Sequence, residues 1–395
     1  YPLCTPTRAA LMTGRSPVRM GLIYSVIRPW SPYGLPREER LMPETFRALG
    51  YQTAMVGKWH LGHAHAEMLP QNRGFDHFYG FLNAEIDHFE HTKLGGLDWQ
   101  RNGRGVREQG YATTLMAEEA VRLIERRDRT RPMFLYAAFN AIHAPMQAPE
   151  EAVRKFAHIG QRNRRMVAAM THCLDQAVGR ILSALDREKM TRDTVVMFLS
   201  DNGGATGLGS DNRPYRGGKM TCFEGGIRVP AALRYPGTVA AGGEVRQLMS
   251  VLDLLPTLAA AAGGQPASGK ELDGRNMWPQ ITGAPEIERE PMFFACKRNE
   301  TADYQFGLRH GPWKLVREVN ASKPSPPDWL FHLGDDPYEQ KNLAASEPAV
   351  VTRLAAEMDR WRALHPKSDI DSSMNPHPGW FPPRDYAEAV GRYEL

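Results

Sequence analysis

The sequence is short of cysteine. Four lie in 395 residues, at positions 4, 173, 222 and 296, with no C-x-x-C spacing among them. That argues against a zinc knuckle and a disulfide-dense scaffold, and leaves one disulfide and the redox compartment open. Apolar runs are short as well. None approaches the ~18 residues of a membrane helix, so no membrane span is expected. An excess of charge is also missing: 49 Lys and Arg stand against 45 Asp and Glu, for a net charge of +4. The densest basic patches, 126–131 and 162–165, are brief and broken by polar residues. They read as solvated faces, and no nucleic-acid partner is expected. Internal repeats are absent.

What is present suits a globular chain. Hydrophobic residues make up 42% and charged residues 24%, an ordinary balance for one large α/β domain with a smaller appendage. Leu41 to Leu49 has a helical stripe stopped by Gly50, and Tyr51–Gly57 follows as a strand. A helix, a glycine and a strand form half of a parallel α/β unit. Stripes at 111–127 and 166–185 predict amphipathic helices. The continuous apolar runs 133–139 and 194–199 predict buried strands of a parallel sheet. Near residue 288 the texture changes to short strands (292–296, 304–309, 313–318) and a helix over 350–364. We therefore expect an α/β domain over 1–287 and an α+β subdomain with an antiparallel sheet over 288–395. The Pro-rich tail from Pro366 reads as loosely held.

Chemistry-bearing residues fall at the ends of these elements. Cys4 opens a stretch with Thr5 as N-cap, Pro6 in the first turn and Gly14 at the C′ position. Such a helix sets Cys4 at its positive end, with Arg8 one turn on as a second anion contact. The plain alternative is a small buried hydrophobe. Lys58 and His60 sit at i, i+2, which puts them on one side of an extended segment, or they are an exposed Lys beside a structural His. His143 lies in the loop after the 133–139 run, where active sites of such sheets occur. Asp201 and Asn202 follow the 194–199 run and offer hard oxygens for Ca²⁺ or Mg²⁺, or else an Asx turn. Lys219 precedes the paired glycines Gly225 and Gly226, which free the backbone to approach a ligand or to form a plain loop. The aromatic run 74–81 reads first as packing and second as a pocket wall. His63, His65, His88 and His91 lack a metal-ligand spacing.

The string C-x-P-x-R-x-x-L-x-T-G-R over residues 4–15 resembles the signature of the type I sulfatases. G-Y-x-T-x-x-x-G-K-W-H-L-G over 50–62 is similar to their second signature. The H-x-P at His143, S-D-N-G-G at 200–204, the R-G-x-K…E-G-G-x-R segment at 216–228 and the run 329–344 follow in the family's order. Through 20–32 and 41–81 the similarity runs to the arylsulfatase B (N-acetylgalactosamine-4-sulfatase) branch. The resemblance implies an alkaline-phosphatase-like three-layer sandwich with a mostly parallel central sheet. It implies sulfate-monoester hydrolysis, of a sulfated sugar or aryl sulfate, with Cys4 converted to formylglycine by a formylglycine-generating enzyme. Arg8 would hold that group. Lys58 and Lys219 would bind sulfate oxygens, His143 and Lys219 would protonate the leaving alcohol, and His60 would act as base. Asp201 and Asn202 would hold Ca²⁺, with Mg²⁺ as the alternative. A periplasmic, secreted or lysosomal location goes with it. The family also draws two metal carboxylates from an Asp-Asp pair on a central strand ahead of the Cys motif, whereas this sequence starts at Tyr1. The expectation is a piece of a longer sulfatase that binds metal weakly and turns over poorly. A phosphate or phosphonate monoester hydrolase of the same superfamily, and an inactive sugar-binding relic, are the competing readings.

Overall fold

Strand Gln52–Lys58 is the axis around which the chain is laid. In this computed structural model, which describes residues 1–267, 269–298, 303–320, 324–366 and 375–391, it pairs in parallel with two others. These are His77–Phe81 on one side and Met133–Ala138 on the other. Two short strands, Gln100–Arg101 and Arg104–Gly105, extend the sheet antiparallel beyond His77–Phe81. Gly57 explains the close spacing on the other side. Its φ of 106° lies in the left-handed region, and a Cβ there would stand 2.1 Å from the Ala138 carbonyl oxygen.

Side-chain alternation along the strands builds three layers. Met55 and Phe78 turn to one face and pack with Ala9 and Met12 of helix Cys4–Thr13, Phe46 of helix Met42–Ala48, and Leu254 and Leu255 of helix Leu254–Ala261. Val56 and Tyr79 turn to the opposite face and meet Ala112, Met116 and Ala120 of helix Ala112–Arg126. The long helix Arg162–Arg187 packs outside that one. Each fully buried aliphatic side chain contributes roughly 1.5–3 kcal/mol by leaving water. The aromatic run resolves as packing, since Phe75, Phe78, Tyr79 and Phe81 are all buried.

The second apolar run departs from expectation. Val196–Leu199 does not join the parallel sheet. It pairs antiparallel with Ala231–Arg234 as a separate two-stranded ladder, and Phe198 is 43% exposed. Met133–Ala138 is likewise half-buried, because among the described residues it pairs only with Gln52–Lys58. An apolar run reports that a strand is to be covered; it carries no information about which neighbour covers it.

The C-terminal part is a four-stranded antiparallel meander, Met292–Arg298, Asp303–His310, Trp313–Val319 and Trp329–His332. Helix Pro348–Arg362 covers it with Leu354, Met358 and Trp361, the last stacked on Phe293. The tail is held where it is described. Leu97 bridges to Asp385, Gly391 N–H donates to the Ala64 carbonyl, and Tyr386 is buried. The expected looseness is corrected for 384–391; residues 367–374 and 392–395 lie outside the described set. No helix among the described residues is long and apolar enough to cross a membrane.

One buried carboxylate makes the fold pH-sensitive. Glu119 accepts from His77 Nε2 at 2.7 Å and from Arg122 Nε at 2.8 Å. Burial alone would raise its pKa, but these partners and Arg101 bring it down to about 2 from 4.5. A folded pKa below the unfolded one adds stability above pH ~4.5, lost as pH falls toward 2. Arg101 and Arg122 are more than a third exposed, so solvent screening reduces the effect. Glu119→Gln is expected to cost about 1–2 kcal/mol at pH 7 and far less at pH 3. Urea unfolding of both proteins at the two pH values checks this; an unchanged difference contradicts it.

Candidate active site

The first helix spans Cys4–Thr13 and is buried throughout. Ala9, Ala10, Leu11 and Met12 favour helix, and Gly14 ends it at φ 64°, donating to the Ala10 carbonyl. Cys4 stands in its first turn, at the positive end. Thr5 is not the N-cap. Leu3 fills that position, and the Thr5 hydroxyl instead donates to the His60 carbonyl and accepts from Ile27 N–H. It thereby ties the helix to two neighbouring loops. One turn on, Arg8 reaches three groups: Nη1 donates to the Lys58 carbonyl at 2.8 Å and to the Tyr136 hydroxyl at 3.3 Å, and Nη2 to Asp201 Oδ2 at 3.2 Å.

Lys58 ends its strand with its side chain buried. His60 lies beyond the strand at φ 60°, so the i, i+2 rule for extended chain does not relate the two. They still share one neighbourhood, because Lys58 and Arg8 are among the charges that act on His60. The His60 ring is held by Nε2 against the Ile27 carbonyl at 2.9 Å, while Nδ1 is buried without a partner. Burial, with Lys58 and Arg8 adding repulsion, keeps His60 neutral well below the usual imidazole range.

His143 follows strand Met133–Ala138 as expected. Its Nδ1 donates to the Ala144 carbonyl at 2.9 Å, and its Nε2 lies 2.9 Å from Lys219 Nζ. The first contact assigns the proton to Nδ1 and leaves Nε2 to accept from the ammonium. Lys219 is brought there by its own backbone, whose N–H donates to the Gly204 carbonyl at 3.1 Å. The paired glycines serve a different purpose from the expected one. Glu224–Ile227 is a short helix. A Cβ on Gly225 or Gly226 would stand 2.5 Å or 2.0 Å from loop carbonyls of Gly217 and Thr221. Backbone, not ligand, occupies the space that they free.

Asp201 and Asn202 complete the cluster. Asn202 Oδ1 accepts from the Cys4 thiol at 3.6 Å. Burial would raise the Asp201 carboxyl, but Arg8, Lys58 and Lys219 hold it far below the usual carboxylate range. Burial would also raise the Cys4 thiol, yet the charges of Lys58 and Lys219, with His143 alongside, bring it down to about 6, against the pull of Asp201. All eight residues singled out in the sequence thus join one cluster of contacts and charge interactions, in which three cations outnumber one carboxylate. As a metal site the described residues are a partial set. One carboxylate and one amide oxygen fall short of the six to eight oxygens that calcium takes, and no group of three His, Cys, Asp or Glu among the described residues could hold an ion.

Sequence reasoning passed over several neighbours. Tyr136 was hidden in an apolar run, where its hydroxyl gave no signal of the Arg8 contact. His88 donates from Nε2 to the His143 carbonyl at 3.2 Å, and its Nδ1 lies 3.5 Å from Asn140 Nδ2. Glu85, paired with Lys93, is close enough for His143 and Lys58 to act on its carboxyl. Only tertiary contact marks these residues.

The chain is similar to known proteins over most of its length. The Sulfatase family model matches residues 1–264, and the model for the N-sulphoglucosamine sulphohydrolase C-terminal region matches 218–363. Arylsulfatase J of Mus musculus is 31% identical over 91% of this chain and 68% of its own length. N-acetylgalactosamine-6-sulfatase of Homo sapiens is 33% identical over 87% of this chain and 73% of its own. The crystal structure of Ps i-CgsB in complex with k-i-k-neocarrahexaose superposes with a TM-score of 0.85 and 31% identity, covering 97% of this chain and 85% of that one.

Proposed function

The chain belongs to the sulfatase family and is a sulfuric ester hydrolase; from that premise we propose that it cleaves the sulfate monoester of a sulfated sugar, using a formylglycine made from Cys4. The fold is the alkaline-phosphatase-like sandwich of that family. A relative named for N-acetylgalactosamine 6-sulfate and a neighbour holding an oligosaccharide support the sugar. The observation that carries the reading is the set of cations acting at Cys4, namely Arg8, Lys58 and Lys219, with the Lys219–His143 contact beside it. A sulfate ester carries its charge on peripheral oxygens, and fixed cations in a buried pocket stabilise that charge as it builds up.

Each residue then has a task. Lys58 and Lys219 bind sulfate oxygens. Arg8 orients position 4 through its fixed bonds to the Lys58 carbonyl and Asp201. Formylglycine, once formed, supplies a hydrated aldehyde oxygen as nucleophile. His143 accepts at Nε2 from Lys219, so the proton for the leaving alcohol resides on Lys219, and the pair delivers it as a unit. His60 is neutral with a free Nδ1 lone pair, which suits it to take a proton as sulfate departs. A formylglycine-generating enzyme is the maturation partner, a periplasmic, secreted or lysosomal site goes with the family, and the catalytic part ends near residue 287.

The competing phosphate reading is tested by rate. kcat/KM for nitrophenyl sulfate is expected to exceed that for nitrophenyl phosphate by at least about 100-fold; the reverse order overturns the proposal. Asp201 and Asn202 are proposed as oxygen donors to Ca²⁺, with Mg²⁺ as the alternative, although alone they leave the ion mostly unliganded. Added calcium should therefore raise the melting temperature of this chain by less than about 2 °C, and a rise above about 5 °C would show that its own residues hold the ion.

A further inference from the structure

The loop that carries Lys219 is fastened at its far end to the C-terminal sheet by charges that the reaction does not use. Lys314, on strand Trp313–Val319, is fully buried, with Nζ 2.8 Å from Glu224 Oε1 and 2.7 Å from Glu339 Oε1. The other carboxylate oxygen of Glu339 accepts from Glu224 N–H at 2.7 Å, and its backbone carbonyl accepts from Arg216 Nη1 at 3.1 Å. The loop closes on itself where Gly225 N–H donates to the Arg216 carbonyl. Glu339 thus grips both ends of the segment 216–224, from a turn outside the catalytic part. Its own φ of 58° is one that an L residue rarely adopts.

Buried ions are a poor source of stability, since desolvation offsets most of their attraction, and well-packed apolar groups often do as well. What such a cluster provides is one geometry. We infer that Lys314, Glu224 and Glu339 position Lys219: they set the height of its loop, and so keep Nζ within reach of His143 and the leaving oxygen. The inference rests on the reading of Lys219 as the proton donor. The loop has other attachments: Lys219 N–H to the Gly204 carbonyl and Met220 N–H to the Pro2 carbonyl, Asn212 Nδ2 to the Gly217 carbonyl, and, on the C-terminal sheet, Cys222 N–H to Gln305 Oε1 and Cys296 Sγ to the Met220 carbonyl. All of these are neutral hydrogen bonds, whereas the Lys314 cluster is the charged attachment of its far end.

Glu339→Gln is the discriminating change. Both partners of the Glu339 carboxylate are donors, the Lys314 ammonium and the Glu224 N–H. A Gln amide can accept from only one of them, and its NH₂ must face the other. A misplaced Lys219 delays proton delivery, which matters for a sugar leaving group of high pKa and little for nitrophenolate. Glu339→Gln should therefore lower kcat on a sugar sulfate by about tenfold or more, and on nitrophenyl sulfate by less than about threefold, with KM little changed. Glu339→Asp, which keeps two acceptor oxygens, should recover part of the loss. If Glu339→Gln fails to fold, Lys314→Arg carries the same test with the charges retained. Equal losses on both substrates, or none, overturn the inference. Lys219→Ala separates the two claims. If it too shows no dependence on the leaving group, the role given to Lys219 fails; if it shows the dependence and Glu339→Gln does not, the fastening fails.

Discussion

Cys4→Ala is expected to lower sulfate-ester turnover by at least about ten-thousandfold, because nothing else in the pocket can replace a covalent nucleophile. The cluster makes this specific. Cys4 is 2% exposed, stands in the first turn of its helix and faces Asn202, while Lys58 and Lys219 place positive charge beside it. Remaining activity in the alanine protein would come only from bound cations acting on water. The same experiment has a mass-spectrometric partner. Conversion to formylglycine lowers the mass of the peptide containing Cys4 by ~18 Da, and the converted fraction should track the active fraction across preparations. An alanine protein with more than about 1% of normal activity, or full activity with an unconverted thiol, contradicts the mechanism.

Lys58→Met should have the next largest effect, a loss of about 10²–10³ in kcat. Methionine keeps the volume and the apolar stem in a fully buried place, so the change isolates the charge. Three consequences follow from one lost cation. On the proposed role a sulfate oxygen would lose its partner, the Cys4 thiol loses the largest influence lowering its pKa, and Asp201 loses one of the charges that hold it ionised. The unmodified thiol should then titrate higher than its present value of about 6, which alkylation rate against pH reads directly. A fall confined to KM with kcat intact would mean that Lys58 binds ground state and transition state alike.

The local elements were legible because their causes are local. Helix Cys4–Thr13 and its Gly14 stop, strand Gln52–Lys58, and helices Ala112–Arg126 and Pro348–Arg362 follow from side-chain period and breakers, within two residues of the expected ends. The errors arose where distant chain decides. Thr5 looked like a cap until His60 and Ile27 claimed its hydroxyl. Val196–Leu199 has the composition of a central strand, but its ladder partner is Ala231–Arg234. Gly225 and Gly226 looked like room for a ligand, and backbone fills it.

By itself the amino-acid order determined which side chains could do chemistry, and that all but Lys219, which lies in a glycine-rich loop, would sit beyond the end of a strand or in the first turns of a helix. Motif spacing records this, since a residue type and its flanking breakers are contiguous in the chain. Only the tertiary structure decided their relations: that Arg8 bridges the Lys58 carbonyl and Asp201, that His143 faces Lys219, and that Glu339, 120 residues beyond Lys219 in the sequence, grips its loop. Such contacts depend on charge and hydrogen-bond geometry across hundreds of residues, and only packing of the whole chain brings the partners within about 3 Å.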